Sequence, residues 1–145
     1  EPGSTFKALT AATVIDAGGQ NAQSTVVAAS TETFANGARV RDSFVHPAYT
    51  YTLTGVLIDS SNAAISRISE TVDPQTRYEY LQRFGVGEGS AVDFPGEQTG
   101  LLRPASDWDN QTVYNTTYGQ GLTTTLPELV GAYGAIANDG ERVPL

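Results

Sequence analysis

Glu1-Pro2-Gly3-Ser4-Thr5-Phe6-Lys7 opens the 145-residue chain. Lys7 is its only lysine; every other basic residue is arginine. Arginine cannot give up its proton in a protein, whereas a desolvated lysine can. Pro2-Gly3 marks a turn, and Ser4 to Ala17 reads as a helix. Phe6, Leu9, Ala12 and Thr13 fall near a 3.6-residue period, and Gly18-Gly19 ends it. Positions three apart on a helix are neighbours, so Lys7 lies beside Ser4. A serine hydroxyl needs a base within reach to become a nucleophile. Burial would lower the lysine pKa, and the helix N-terminus favours charge developing on an acyl oxygen. A helix N-cap serine followed by a solvated lysine gives the same pattern, so the pair alone leaves both readings open.

Further along, Thr31 to Arg41 reads as a β-hairpin turning on Asn36-Gly37, the two residues expected at positive φ. A short apolar helix over 53–58 leads into Asp59-Ser60-Ser61-Asn62, and a second helix follows from Asn62 to about Val72. The polar loop between these helices is placed to enter a cleft. There the Ser60 hydroxyl could relay protons between Lys7 and a leaving amine. The Asn62 carboxamide could bind a peptide group and orient Lys7. Ser60 or Ser61 could equally cap the next helix. Asp73-Pro74 starts a helix to Phe84 with Tyr78, Leu81 and Phe84 on one side. Residues 85–124 read as a long ordered loop with short strands, of a length usually tied to function. The last helix starts at Thr125, where Thr125 and Glu128 form a capping-box pattern, and stops before Asn138-Asp139-Gly140.

Composition narrows the function. Hydrophobic residues make up 39% of the chain, enough for a core. The net charge of −8 excludes nucleic acid as a partner. The absence of cysteine rules out disulfides and thiolate metal sites, and a single histidine argues against zinc. No apolar run approaches the roughly 20 residues needed to span a bilayer. The chain starts without methionine on its motif and stops at Val143-Pro144-Leu145. The expectation is a piece of a longer protein whose targeting segment lies upstream.

Several stretches together resemble the penicillin-recognising serine acyltransferases, and more narrowly the class B penicillin-binding proteins of the septal division type. Glu1 to Lys7 is similar to that group's first motif and its lead-in, and Ser60-Ser61-Asn62 to its second. Further matches follow in the family's order: Tyr80-Leu81-Gln82-Arg83-Phe84-Gly85-Val86-Gly87, Asp93-Phe94-Pro95-Gly96-Glu97, Tyr118-Gly119-Gln120-Gly121-Leu122 and Ala135-Ile136-Ala137-Asn138-Asp139-Gly140. The resemblance implies an α+β, β-lactamase-like transpeptidase fold. Residues 1–145 would be a partial transpeptidase domain, mainly its helical lobe with a β-hairpin and long loops. It implies Ser4 as the acylated nucleophile, Lys7 as general base, Ser60 as proton relay and Asn62 as a ligand of substrate and lysine. Tyr118, Gly119 and Gln120 are candidate substrate-binding residues lining the cleft. The implied reaction is D,D-transpeptidation: attack on the D-Ala-D-Ala bond of a peptidoglycan stem peptide, then transfer to a neighbouring amine. β-Lactams would acylate the same serine. No metal or cofactor is implied. Divisome membrane proteins are implied partners, at the extracytoplasmic face of the plasma membrane.

The family's third motif, Lys-Thr-Gly or Lys-Ser-Gly on a strand, does not occur in these residues, because Lys7 is the only lysine. That strand supplies the second oxyanion donor and binds the substrate carboxylate, so this stretch by itself is expected to be inactive or nearly so. Other readings are a non-catalytic β-lactam-sensing or scaffold domain, a carboxypeptidase, and a serine β-lactamase using Glu97. Leu101 stands where such an enzyme has asparagine. Trp108 is expected to anchor the long loop, and His46 to be a packing residue.

Overall fold

A computed structural model describes residues 1–92 and 94–145. The Asp93 of the Asp93–Glu97 match lies outside the described residues. Gly3–Phe6 forms a 3-10 turn that runs directly into helix α1, Lys7–Asp16. Strands β1 (Thr25–Ala28), β2 (Thr31–Thr33), β3 (Arg39–Arg41) and β4 (Tyr49–Thr52) follow. Then come α2 (Leu53–Asp59), α3 (Asn62–Ser69) and α4 (Pro74–Arg83). The long segment carries the short helix α5 (Thr112–Asn115), and α6 (Leu126–Ala137) follows it. Helices with two small antiparallel sheets make this an α+β arrangement. Among the described residues no helix is long and apolar enough to cross a membrane.

The expected hairpin is β2–β3, with Glu32 opposite Val40. Its turn is wider than the expected two residues. Phe34 N–H donates to Ala38 O and Gly37 N–H to Phe34 O, and of the Asn-Gly pair only Gly37 has positive φ (89°). Asn36 works through its side chain: Oδ1 accepts from Ala38 N–H, and Nδ2 donates to Asn110 O. Asn110 Nδ2 donates back to Asn36 O, so the hairpin tip is pinned to the long segment. The hairpin is nested between β1 and β4, which pair antiparallel with Val26 opposite Tyr51. Neither outer strand was expected. Each is four residues long, too short for an alternation of apolar and polar residues to stand out.

The helix expectations hold with trimmed ends. Thr52, Ser61, Asp73 and Thr125 accept backbone N–H groups at the starts of α2, α3, α4 and α6. The capping box of Thr125 and Glu128 is present. Glu128 is buried, and its carboxylate also accepts from Gly89 and Gly100 N–H, tying the long segment to α6. Helix α3 stops at Ser69, short of the expected Val72. Between Gly85 and Thr124 the structure has helical turns (Ala105–Asp107, α5 and Thr116–Tyr118) and one isolated bridge, Leu101 to Thr123, in place of the expected strands. Trp108 does anchor this segment. It is buried, donates from Nε1 to Arg103 O, and meets Tyr78 edge-on.

Two apolar clusters flank α1. One joins Ala11 and Val14 to α2, α3 and the strands through Leu53, Val56, Ile65 and Phe34. The other joins Phe6 and Leu9 to Leu81, Val86, Trp108 and Ala132. Helix α1 therefore lies between two cores and buries more than the one stripe that its sequence period suggests. Lys7, at its first turn, is carried inside with it.

Candidate active site

Gly3 has φ +62° and turns the chain into the 3-10 turn that carries Ser4. Gly3 N–H donates to Gly119 O at 3.0 Å. Ser4 is exposed, whereas Lys7 is 2% exposed. The N–H groups of such a first turn have no intrahelical partner.

Helix α2 ends at Ser60, which adopts the left-handed conformation (φ 53°, ψ 43°). Ser61 N–H reaches back to Val56 O, closing a glycine-type C-cap on a serine. A non-glycine residue held in this conformation costs roughly 1–2 kcal/mol and is characteristic of functional sites. Here both its carbonyl and its hydroxyl face Lys7: Nζ is 2.6 Å from Ser60 O and 2.8 Å from Ser60 Oγ. Nζ is also 3.1 Å from Ser4 Oγ.

The three oxygens can take the three N–H bonds of an ammonium, and they also fit the neutral amine, with its two N–H bonds and one lone pair. In the neutral form the carbonyl, which can only accept, takes one N–H. Ser60 Oγ accepts the other, and the lone pair is left for the Ser4 hydroxyl proton. Burial pushes the Lys7 pKa down to about 8, against the opposing charge of Asp42. The neutral form is therefore accessible near physiological pH. Serine, amine and second hydroxyl form one connected proton path.

The structure thus brings Ser4, Lys7 and Ser60 into direct contact. Asn62 is half-buried and placed differently from the expectation. Its Nδ2 donates to Arg41 O at 3.0 Å, and the lysine bonds go to Ser4 and Ser60. The left-handed turn at Ser60 puts a carbonyl where the lysine ligand was expected. Tyr118 is placed in the interior. It is buried in the first apolar cluster, with its hydroxyl on Asn115 Oδ1. Gly119 lies against Gly3, in the turn that carries Ser4; Gln120 is exposed. Glu97 is held by Ser90 N–H, away from the lysine cluster.

Sequence reasoning missed Asp42. Its carboxylate is buried beneath the second motif, accepting from Ser61 Oγ (2.7 Å), Ala63 N–H (2.8 Å) and His46 Nε2 (2.8 Å). Only its place one residue past the hairpin hinted at this.

One measurable consequence concerns Ser60. In the full-length protein Ser60→Gly should be about 1 kcal/mol more stable than Ser60→Ala, because both lose the hydroxyl bond to Lys7 and only glycine escapes the left-handed penalty. Both variants should acylate more slowly because both lose the hydroxyl. Denaturant midpoints paired with acylation rates check this. Equal midpoints for the two variants would show that the turn stores no strain.

Residues 1–145 match the family model described as penicillin binding protein transpeptidase domain, and the chain belongs to that family. It is 40% identical over 144 residues to penicillin-binding protein PbpB of Mycobacterium tuberculosis, covering 99% of this chain and 21% of that protein. It is 34% identical over 145 residues to the probable peptidoglycan D,D-transpeptidase PbpC of Pseudomonas aeruginosa, covering 100% of this chain and 25% of that one. The crystal structure of penicillin-binding protein 3 from M. tuberculosis superposes with a TM-score of 0.93 at 39% identity, over 99% of this chain and 32% of that one. The same protein has been solved in complex with ampicillin and with aztreonam. The fold is therefore part of a transpeptidase domain, and the chain spans about a quarter of the length of these curated relatives.

Proposed function

We propose that Ser4 is the nucleophile of a D,D-transpeptidase. Ser4 Oγ attacks the carbonyl of a D-Ala-D-Ala bond as its proton passes to the Lys7 amine. Ser60 relays a proton to the leaving D-Ala amine, leaving an acyl-enzyme on Ser4. An amine from a second peptidoglycan stem peptide then attacks the ester, forming a cross-link and freeing the serine. Asn62 offers its carboxamide oxygen, and Gln120 its exposed side chain, to the bound peptide. The observation that carries this reading is the buried lysine bonded to Ser4 Oγ and to both oxygens of Ser60. No step needs a metal or cofactor.

β-Lactams enter the same scheme as donor mimics whose leaving group stays tethered. The expected setting is the extracytoplasmic face of the plasma membrane, with a membrane anchor upstream and divisome membrane proteins as partners. Residues 1–145 by themselves are expected to acylate poorly, because the lysine-bearing strand motif lies outside them. Loss of one oxyanion donor alone costs roughly 3–4 kcal/mol of transition-state stabilisation.

The test is mass spectrometry of the full-length protein after exposure to a labelled penicillin. One covalent adduct on Ser4 is expected, absent in Ser4→Ala. A folded full-length protein that forms no adduct, or forms it elsewhere, would refute the reading.

A further inference from the structure

The second motif bonds to Lys7 through Ser60, yet Ser60 sits in an unfavourable backbone conformation. Something must hold it there, and the residues on either side of Asn62 supply the grip. Ser61 is fully buried, and its hydroxyl donates to Asp42 Oδ2 while accepting from Ala64 N–H. Ala63 N–H donates to Asp42 Oδ1. One carboxylate thus spans two residues of the α2–α3 elbow. Asp42 is itself fixed: its N–H donates to Ser30 O at 2.8 Å, and it follows directly on Arg41, whose carbonyl holds Asn62.

His46 completes the arrangement. It is 7% exposed, and its ring stacks on Tyr49 with centroids 4.9 Å apart. Nδ1 lies 2.7 Å from Pro47 O, which can only accept, so Nδ1 carries a proton. Nε2 lies 2.8 Å from Asp42 Oδ2. A proton must lie between Nε2 and this oxygen, since two lone pairs would otherwise face each other. Consistently, its hydrogen bond to Asp42 raises the His46 pKa against burial. The Asp42 side chain thus bonds to an imidazole, a hydroxyl and a backbone N–H, as a buried polar group requires.

We propose that Asp42, held by His46, is a positioning residue for acyl transfer: it clamps Ser61 and Ala63, and thereby fixes Ser60 against Lys7 and holds the start of α3 that carries Asn62. Asp42 touches no reacting atom; it acts through the elbow. The inference rests on the acyl-transfer reading of Ser4.

The test uses the full-length protein and a fluorescent penicillin. It separates the dissociation constant of the initial complex from the rate constant of acylation, with the latter counted per titratable Ser4. Asp42→Asn keeps the shape but loses the charge and one acceptor. Its acylation rate constant should fall by about ten- to a hundredfold, the scale of an ångström-sized misplacement. The dissociation constant should stay within about a factor of three, as for an interaction used only in the chemical step. Ser61→Ala cuts the same link from the other side and should fall in the same way, which covers the case of an Asp42→Asn protein that does not fold. Variants that lose only thermal stability or titratable sites, with an unchanged rate constant per site, would overturn the proposal and leave the acyl-transfer reading standing. No acylation of the unaltered protein would sink both.

Discussion

Replacing Lys7 by methionine is expected to slow acylation of Ser4 by roughly 10²–10⁴-fold, the usual contribution of a positioned general base. Methionine keeps the unbranched apolar stem that fills the space beneath the nucleophile and removes only the amine. Lys7→Arg separates the two jobs the amine could do. If Lys7 acts only as a fixed positive charge, arginine should retain much of the rate. If it acts as a base, arginine should fail at every pH, because a guanidinium does not deprotonate. The pH profile of the unaltered protein carries the same information. With the Lys7 pKa lowered to about 8, the reactive neutral amine grows as pH rises, so the acylation rate should climb and then level off above about 8. Stopped-flow acylation by a fluorescent penicillin across pH 6–10 measures both (the window brackets that pKa). An arginine variant as fast as the unaltered protein, or a rate that falls as pH rises through 8, would eliminate the base role.

Gly119→Ala is expected to disturb the turn that carries Ser4 and to destabilise the fold. Gly119 has φ +79°, and a Cβ there would lie 2.2 Å from Gly3 O and 2.6 Å from Gly3 N. Both contacts are with backbone, so no side chain can swing aside. The left-handed penalty of roughly 1–2 kcal/mol adds to an overpacking cost of roughly 1–3 kcal/mol. Relief requires breaking the Gly3 N–H to Gly119 O bond and moving the turn that carries Ser4. The loss should appear twice, as a lowered denaturation midpoint and as slower acylation of the molecules that remain folded. Gly96→Ala is the control: its φ is +81°, but nothing lies within 4 Å of the added carbon. It should pay the backbone penalty alone. Equal effects of the two substitutions would show that the Gly3–Gly119 approach does not position the nucleophile.

The two predictions probe two supports of one site. Ser4 is held from the Gly119 side, Ser60 and Asn62 from the Asp42 side, and Lys7 is fixed where they meet. Neither support touches the substrate in this scheme, and both are made of backbone or of groups with few degrees of freedom. Such supports hold reacting atoms to the fractions of an ångström that catalysis needs.

Much of this was legible in the chain. Ser4 and Lys7 three positions apart near a helix start, the capping residues Asp73 and Thr125, and the Asn36-Gly37 reversal are local signals. Each depends on bonds between residues no more than four apart, so sequence spacing is enough to state them. The ordered motifs carried the family for the same reason. What lay out of reach depends on distant partners. β1 and β4 stabilise each other across more than twenty residues of chain and are too short to announce themselves. The glycines beside Tyr118 suggest a close backbone approach to a cleft, yet the fold packs Tyr118 into a core and sets Gly119 against Gly3.

The sequence by itself determined which groups could do chemistry: one lysine able to lose a proton, a serine beside it, and a second hydroxyl with a carboxamide. Only the tertiary structure decided their charge states and bonds. Burial between two apolar clusters lowers the Lys7 pKa. The left-handed turn at Ser60 gives the lysine a carbonyl in place of Asn62. Asp42 and His46 become a buried hydrogen-bonded pair because strand β3 and the chain after it close over the elbow. Desolvation and hydrogen-bond geometry are properties of packed neighbours, and a spacing along the chain does not contain them.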